Sequence, residues 1–185
     1  MITCEICGKP AWVHVTEVDG SKHECCMDCQ NDKVAALLGV DHFKDYIRTY
    51  TYKRHTFNIQ QMIYATGIQW QAQEETDKEH GYYFALNAPF DEDPHESLQE
   101  LYRRIRHGVS NKYLTKGEYQ YKYFLKFDKG IGRIECEESG ERDHPNLVID
   151  GKKVTWDEFG LMISTCEGFN LKFRIDEPGN DDGNI

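Results

Sequence analysis

Long apolar runs are absent from this sequence, and none approaches the roughly 20 residues that a membrane-spanning helix needs. The opening residues, MITCEICGKP, have neither the basic n-region nor the apolar core of a secretory signal, so export is not expected. Basic charge is also scarce. The 22 Lys and Arg stand against 32 Asp and Glu, and the formal charge of −10 favours solubility while working against a large polyanion footprint. There is no G-x-S-x-G, no Walker loop, no Rossmann glycine pattern and no H-E-x-x-H, so no recognised motif argues for an enzyme. What remains is ample for folding. With 185 residues, 39% of them hydrophobic, the chain can bury a real core, and length allows one domain of about 130–150 residues with a small appendage.

Sulfur is concentrated at one end. Of seven cysteines, five fall between Thr3 and Cys29 in TCEICGKPAWVHVTEVDGSKHECCMDC. Cys4 and Cys7 form one C-x-x-C and Cys26 and Cys29 another, with 18 residues between the pairs, inside the spacing of four-thiolate zinc sites. A reducing compartment favours metal or redox chemistry over structural disulfides for such pairs. Two disulfides or a redox C-x-x-C are the competing readings, but thioredoxin-like chemistry wants a βαβ context that the pattern lacks. Tetrahedral zinc would suit two knuckles joined by a hairpin.

The residues between the knuckles read as that hairpin. AWVHVTEV is strand-like, Asp19-Gly20 is a two-residue turn signal, and SKHEC returns. On that register Glu17 faces Lys22, Thr16 faces His23 and His14 faces Cys25. Successive strand side chains point to opposite faces, so Cys25 and Cys26 cannot both reach one ion, and the spacing to Cys29 selects Cys26. Cys25 then shares the other face with Trp12, His14 and His23, as a packed surface in preference to a second metal site.

These residues also resemble a known module. Cys4, Cys7, Pro10-Ala11, His14, Thr16, Gly20, His23, Cys26 and Cys29 are similar to the N-terminal zinc module of the bacterial activator proteins that partner protein arginine kinase. The likeness covers about residues 1–30. It implies four zinc ligands and a bacterial cytoplasmic protein whose zinc module contacts other proteins. That family carries a second pair of cysteine knuckles and a C-terminal helical coiled segment, both missing here, so kinase activation is not carried over.

Past Cys29 the pattern predicts a short helix and connector, with Ala35, Ala36, Leu37 and Leu38 packing and Gly39 stopping the helix. Strict alternation then predicts antiparallel strands through Phe57, Ile59, Gln61 and Ile63, through Ile68, Trp70 and Ala72, and through Tyr82, Phe84 and Leu86. Asp93, Pro94 and Glu96 open a helix whose buried stripe is Leu98, Leu101, Tyr102 and Ile105, ended by Gly108. Tyr119, Tyr121, Tyr123, Leu125 and Phe127 read as one strand face, with a turn at Asp128-Lys129-Gly130 and IGRIECEE returning. A second hairpin turns at Asp150-Gly151. Thr155 and Glu158 cap a helix carrying Trp156, Phe159, Ile163 and Cys166, and Phe169, Leu171, Phe173 and Ile175 form a final strand.

The fold class is therefore α+β: a small four-cysteine zinc-ribbon-like hairpin, then a largely antiparallel sheet of about six to eight strands with two principal helices. The expected division is 1–45 for the zinc module and connector helix, 46–177 for the α+β domain, and 178–185 for a flexible tail.

Other clusters have ordinary readings. Asp91, Glu92, Asp93, His95 and Glu96 sit at a helix start, where acidic groups favour the dipole. Glu135, Glu137, Glu138, Glu141, Asp143 and His144 read as a solvated strand end and loop, and Cys136 and Cys166 as isolated thiols without catalytic geometry. RTYTYKRH and NKYLTKGEYQYKYFLKF interleave aromatic and basic residues, as nucleic-acid surfaces do. Net charge and the separation of Lys122 and Lys126 from the tyrosine face count against that use. The leading expectation is a cytoplasmic, non-enzymatic protein-interaction or regulatory module in which Cys4, Cys7, Cys26 and Cys29 hold zinc. Trp12 and His14 are the candidate partner contacts, with no catalytic residue assigned. A nucleic-acid-binding zinc ribbon, or an enzyme with its cleft in the α+β domain, is the alternative.

Overall fold

The computed structural model describes residues 2–11, 13–16, 20–76, 80–119, 121–136 and 145–180. Among them the α+β class holds, and every strand pairing is antiparallel. Beyond the N-terminal hairpin, the single large sheet expected from the alternation is divided into three, of four, three and two strands.

The chain opens with a hairpin, β1 (Val13–Thr16) and β2 (Lys22–Cys25), followed at once by α1 (Met27–Leu38). The register differs by one residue from the expected one. Val13 faces Cys25, His14 faces Glu24, Val15 faces His23 and Thr16 faces Lys22. Gly20 has φ of +85°; Glu17, Val18 and Asp19, and with them the expected Asp19-Gly20 turn, lie outside the described residues. One residue of slip moves a side chain to the other face, so His14 lies opposite Cys25 and His23 and does not join them.

α1 ends at Gly39, whose φ of +68° suits glycine and whose N–H donates to the Ala35 carbonyl. Ala35 is buried, but Leu37 is 85% exposed and Leu38 is exposed too, against expectation. A helix laid on a sheet edge buries a narrow stripe, and its last turn has already passed the sheet. The connector after Gly39 returns to the core through Phe43 and Tyr46, whose rings meet Trp70 edge-on at 6.4 and 5.0 Å.

The main sheet is a meander of β3 (Thr49–Tyr52), β4 (His55–Tyr64), β5 (Gly67–Glu74) and β6 (Tyr83–Ala88). The predicted apolar face is buried as read: Phe57, Ile59, Ile63, Ile68, Trp70, Ala72 and Leu86 form one cluster with the underside of α2 (Pro94–Ser110). Leu98, Leu101, Tyr102 and Ile105 supply that underside, and Asp93 caps the helix by accepting from the His95 N–H at 2.9 Å. Gly108 does not end α2, which runs on to Ser110. The ring of Phe84 lies where a Cβ on Gly108 would stand, so this glycine is a packing notch.

β3 covers only residues 55–58 of β4. Beyond it the β4 edge is finished by other groups. The Ile59 N–H donates to the Arg48 carbonyl at 2.7 Å. Asn31, buried on α1, then donates its Nδ2 to the Gln61 carbonyl at 2.7 Å and accepts from the Ile63 N–H at 3.0 Å. A side-chain amide thus continues the ladder where the strand runs out.

The remainder has its own apolar cluster of Leu114, Ile149, Val154 and Met162. It comprises the hairpin β7 (Leu114–Lys116) and β8 (Tyr123–Leu125), the sheet β9 (Gly132–Glu135), β10 (Asn146–Ile149) and β11 (Lys152–Val154), and α3 (Trp156–Ser164). Two expectations held here. Asp150-Gly151 turns with both φ positive, +53° and +68°. Thr155 and Glu158 form a complete capping box. Of the expected face Trp156, Phe159, Ile163 and Cys166, Phe159 packs on the cluster, Met162 is the buried member of the helix instead, and Cys166 lies beyond its end.

Others failed. Tyr119 and Phe127 are exposed and have positive φ, +56° and +65°, so the aromatic row is broken at both ends and β8 keeps only its middle. β9 returns against β10 instead of β8. Trp156 is half exposed. Phe169, Leu171, Phe173 and Ile175 run without a strand partner among the described residues and are all largely exposed. Alternation prescribes which side chains share a face; it does not supply a neighbouring strand. After them Asn87 donates to the Pro178 carbonyl and to Asn180 Oδ1 at 3.2 and 2.7 Å, tying residues 178–180 to β6.

Replacing Asn31 with Ala leaves a buried carbonyl and a buried N–H without partners, and is expected to cost about 2–4 kcal/mol in urea unfolding. An effect below about 0.5 kcal/mol, the range of ordinary surface substitutions, would show that the edge re-pairs elsewhere. Gly108→Ala forces Phe84 to move and is expected to cost about 1–3 kcal/mol by the same assay.

Candidate metal centre

The first knuckle is a tight backbone turn. Cys4 N–H donates to the Lys9 carbonyl at 2.7 Å, and Gly8 N–H to the Cys4 carbonyl at 2.9 Å, with Gly8 at φ +72°. The Ala11 N–H donates to the Ile2 carbonyl and the Glu5 N–H to the Glu24 carbonyl, each at 3.0 Å, which fixes this turn against β2. The second knuckle is the start of α1: Cys26 is its N-cap residue in extended conformation, and Cys29 sits in the first turn. A strand that ends in a helix cap turns Cys26 away from the Cys25 face.

The two knuckles bring Cys4, Cys7, Cys26 and Cys29 together, their sulfurs all within 4.8 Å of one another and Cys7 Sγ 3.5 Å from Cys26 Sγ. A tetrahedron with metal–sulfur bonds of about 2.3 Å has edges of about 3.8 Å, so this donor set fits a thiophilic ion. Among the described residues no other group of three or more His, Cys, Asp or Glu side chains has such geometry. Cys4 and Cys26 are buried, Cys29 is nearly so, and Cys7 faces solvent. All four positions are sulfur, which fills a tetrahedral ion and leaves no place for water or substrate.

Backbone dipoles prepare one ligand. The N–H of Cys26, followed by those of Cys7 and Ile6, points at the Cys4 sulfur and holds its pKa down to about 6. Burial pushes the Cys26 thiol up. Burial and the neighbouring thiols push Cys29 up further. Cys4 is thus the anionic anchor at neutral pH, and the protons of Cys26 and Cys29 leave when positive charge enters.

Cys25, 1% exposed, packs with Ala11, Val13 and Val15, and burial raises its thiol pKa. His14 Nδ1 bonds Glu24 Oε1 at 2.7 Å on the outer face, whereas His23 Nδ1 bonds Glu5 Oε2 at 3.1 Å. The imagined grouping of His14, His23 and Cys25 does not form. Trp12 lies outside the described residues, as do Glu137, Glu138, Glu141, Asp143 and His144. In the other acidic stretch Asp93 is a helix cap and Glu92 accepts from the buried Ser97 hydroxyl at 2.7 Å, both structural uses. Cys136 is exposed and Cys166 is partly buried.

Reading by residue type missed Glu5, which ties the first knuckle to β2 by accepting from the Glu24 N–H at 3.2 Å as well as meeting His23. A carboxylate inside a C-x-x-C carries no signal of that contact.

The fold and site define an α+β protein with a four-thiolate, metal-compatible module at one end. Residues 44–110 match the family model described as Domain of unknown function (DUF7686), and residues 113–180 match Domain of unknown function (DUF7713). The first takes in the main sheet and α2; the second takes in the strands and helix of the other apolar cluster. No curated protein and no solved structure matches the chain. No helix among the described residues is long and apolar enough to cross a membrane.

Metal retention is expected to depend on pH in one direction. Cys4 is ionised above about 6 and takes a proton as pH falls through that value, while Cys26 and Cys29 hold their protons more tightly still. Affinity for a thiophilic ion, measured by chelator competition, should therefore fall steadily from pH 8 to pH 5. A pH-independent affinity would mean that sulfur is not the donor set.

Proposed function

We propose that the chain is a zinc-containing, non-enzymatic protein-interaction or regulatory protein of the bacterial cytoplasm. The observation that carries this is the closed set of four sulfurs, Cys4, Cys7, Cys26 and Cys29, with every tetrahedral position taken by protein. Zinc is the ion of choice for four thiolates in a short hairpin, and its apparent binding energy of about 10–16 kcal/mol in small fingers is ample to fold one. Such a site organises a surface and performs no chemistry. The likeness of residues 1–30 to the activator zinc module supports a partner-facing role. So does exposure of Ile2 and Ile6 beside the first knuckle, together with His14 on the outer hairpin face.

Residues 1–45 form the zinc module in this reading, 46–177 the body, and 178–185 the tail. The body's two apolar clusters and the two family matches support treating it as a pair of units joined near residues 110–113. Its role is to hold the hairpin in a defined attitude and to offer a second surface.

Elemental analysis is expected to give one zinc per chain, lost in Cys26→Ser/Cys29→Ser. Partner capture from a bacterial lysate should distinguish three proteins: wild type, the zinc-free double variant, and zinc-loaded Ile6→Ser/His14→Ala. Partners lost from both variants support contact through the hairpin. Partners retained by all three sink that part of the reading.

A further inference from the structure

The two-residue turn between β3 and β4 consists of Lys53 and Arg54, and it stands over the C-terminal end of α2. Together with His55, Val109, Ser110 and Lys112 these residues line a pocket of about 400 Å³. Lys53 Nζ donates to Ser110 Oγ at 3.0 Å, and the Tyr52 hydroxyl lies 3.1 Å from the same oxygen. Lys112, half-buried, donates to the Tyr82 hydroxyl and lies 4.5 Å from the centre of that ring. His55 backs the pocket, bonded to Glu74 at 2.5 Å and edge-on to Tyr82.

We propose that this pocket binds a small phosphate-bearing ligand, held by Lys53, Arg54 and Lys112 with the Ser110 hydroxyl.

The case rests on unbalanced charge. In a chain of net charge −10, several cations have a carboxylate at hand: Lys44 has Asp32, Arg48 has Asp28, Arg103 has Glu100 and Lys122 has Glu158. Lys53, Arg54 and Lys112 have none within ion-pair distance among the described residues. Asp150 acts on Lys112 from outside ion-pair distance, and its Oδ2 already accepts from the N–H groups of Tyr113 and Leu114 at 2.9 and 2.8 Å. The helix end contributes roughly half a negative charge. Three cations thus line the pocket with two carboxylates, Asp150 and Glu74, behind them, and neither carboxylate forms an ion pair with a lining cation among the described residues. Burial lowers the pKa of Lys112, with Asp150 and Glu74 opposing the shift and Arg54 and Lys152 adding to it.

The turn itself is chosen against local preference. Lys53 has φ of +55°, a conformation that such turns usually give to Asn or Gly. Two long cations at this tip therefore have a use other than turning the chain. An arginine fork and two lysine ammoniums beside a hydroxyl match the oxygens of a phosphate better than the two of a carboxylate. The pocket is short and bounded by Val109 and the His55 ring. That favours a single small ester over a polynucleotide, which the chain's negative charge also disfavours.

The test is an amide NMR titration of the full chain with inorganic phosphate, then with glycerol 3-phosphate, at constant ionic strength against chloride. Saturable shifts at Lys53, Arg54, Ser110 and Lys112 are expected, with the dissociation constant raised at least tenfold in Arg54→Gln and in Lys112→Gln, and unchanged in Lys122→Gln. Arg54 is exposed on a turn, so its variant reports on binding even if Lys112→Gln fails to fold. Equal shifts with chloride, or an unaltered constant in Arg54→Gln, overturn the proposal. So does tight binding of a single-stranded oligonucleotide or of anionic vesicles without saturable phosphate binding, which would assign the patch to a macromolecular surface.

Discussion

Asn31 stands two residues after Cys29 on α1 and uses both ends of its side-chain amide on β4, donating to the Gln61 carbonyl and accepting from the Ile63 N–H. Both partners are backbone groups at the place where β3 no longer covers the strand. The same helix therefore closes the cysteine site at its first turn and finishes the sheet edge at its second. Ala35, Val34 and Val40 carry the join into the main apolar cluster, and Phe43 and Tyr46 fold the connector back onto Trp70. No flexible linker separates the module from the body.

The second junction is built on the same principle with a different group. Asp150, at a hairpin tip with φ of +53°, accepts from two consecutive N–H groups, Tyr113 and Leu114, where the chain leaves α2. Gly151 beside it lies against Tyr82 at the margin of the main cluster. In each case one short polar side chain satisfies two backbone groups, and the apolar clusters on either side stay separate. Charge follows the architecture. Ion pairs such as Glu100 with Arg103 and Lys122 with Glu158 decorate the helices, whereas three cations without such a partner, Lys53, Arg54 and Lys112, meet where the end of α2 and the β3–β4 turn come together.

Local signals in the sequence were legible where the physics is local. The thiol cluster follows from two C-x-x-C spacings because each knuckle is a turn of a few residues. Period-2 alternation located β4 and β5, and Asp93 and Thr155 announced their helices. What failed depended on neighbours. The hairpin register of β1 and β2 is shifted by one residue from the expected one; Phe169 to Ile175 alternate like a strand but find no strand partner among the described residues. Gly108 reads as a stop until Phe84 is seen to need its missing side chain. Asn31, in CQNDK, looks like a surface residue, and nothing nearby reports that β3 is too short to cover β4. The basic pocket assembles residues 53–55 with 109–112, a pairing visible only once α2 lies on the sheet.

The helix that closes the thiol cluster does not carry its whole length into the core. Cys29 and Asn31 are buried, and Val34, Ala35 and Val40 pack on the main cluster, whereas Leu37 and Leu38 on the last turn stand exposed. Leu38 lies about 13 Å along the axis from Cys29. A site whose sulfurs are mostly hidden is thereby linked, through one packed helix, to an apolar surface that other molecules can reach.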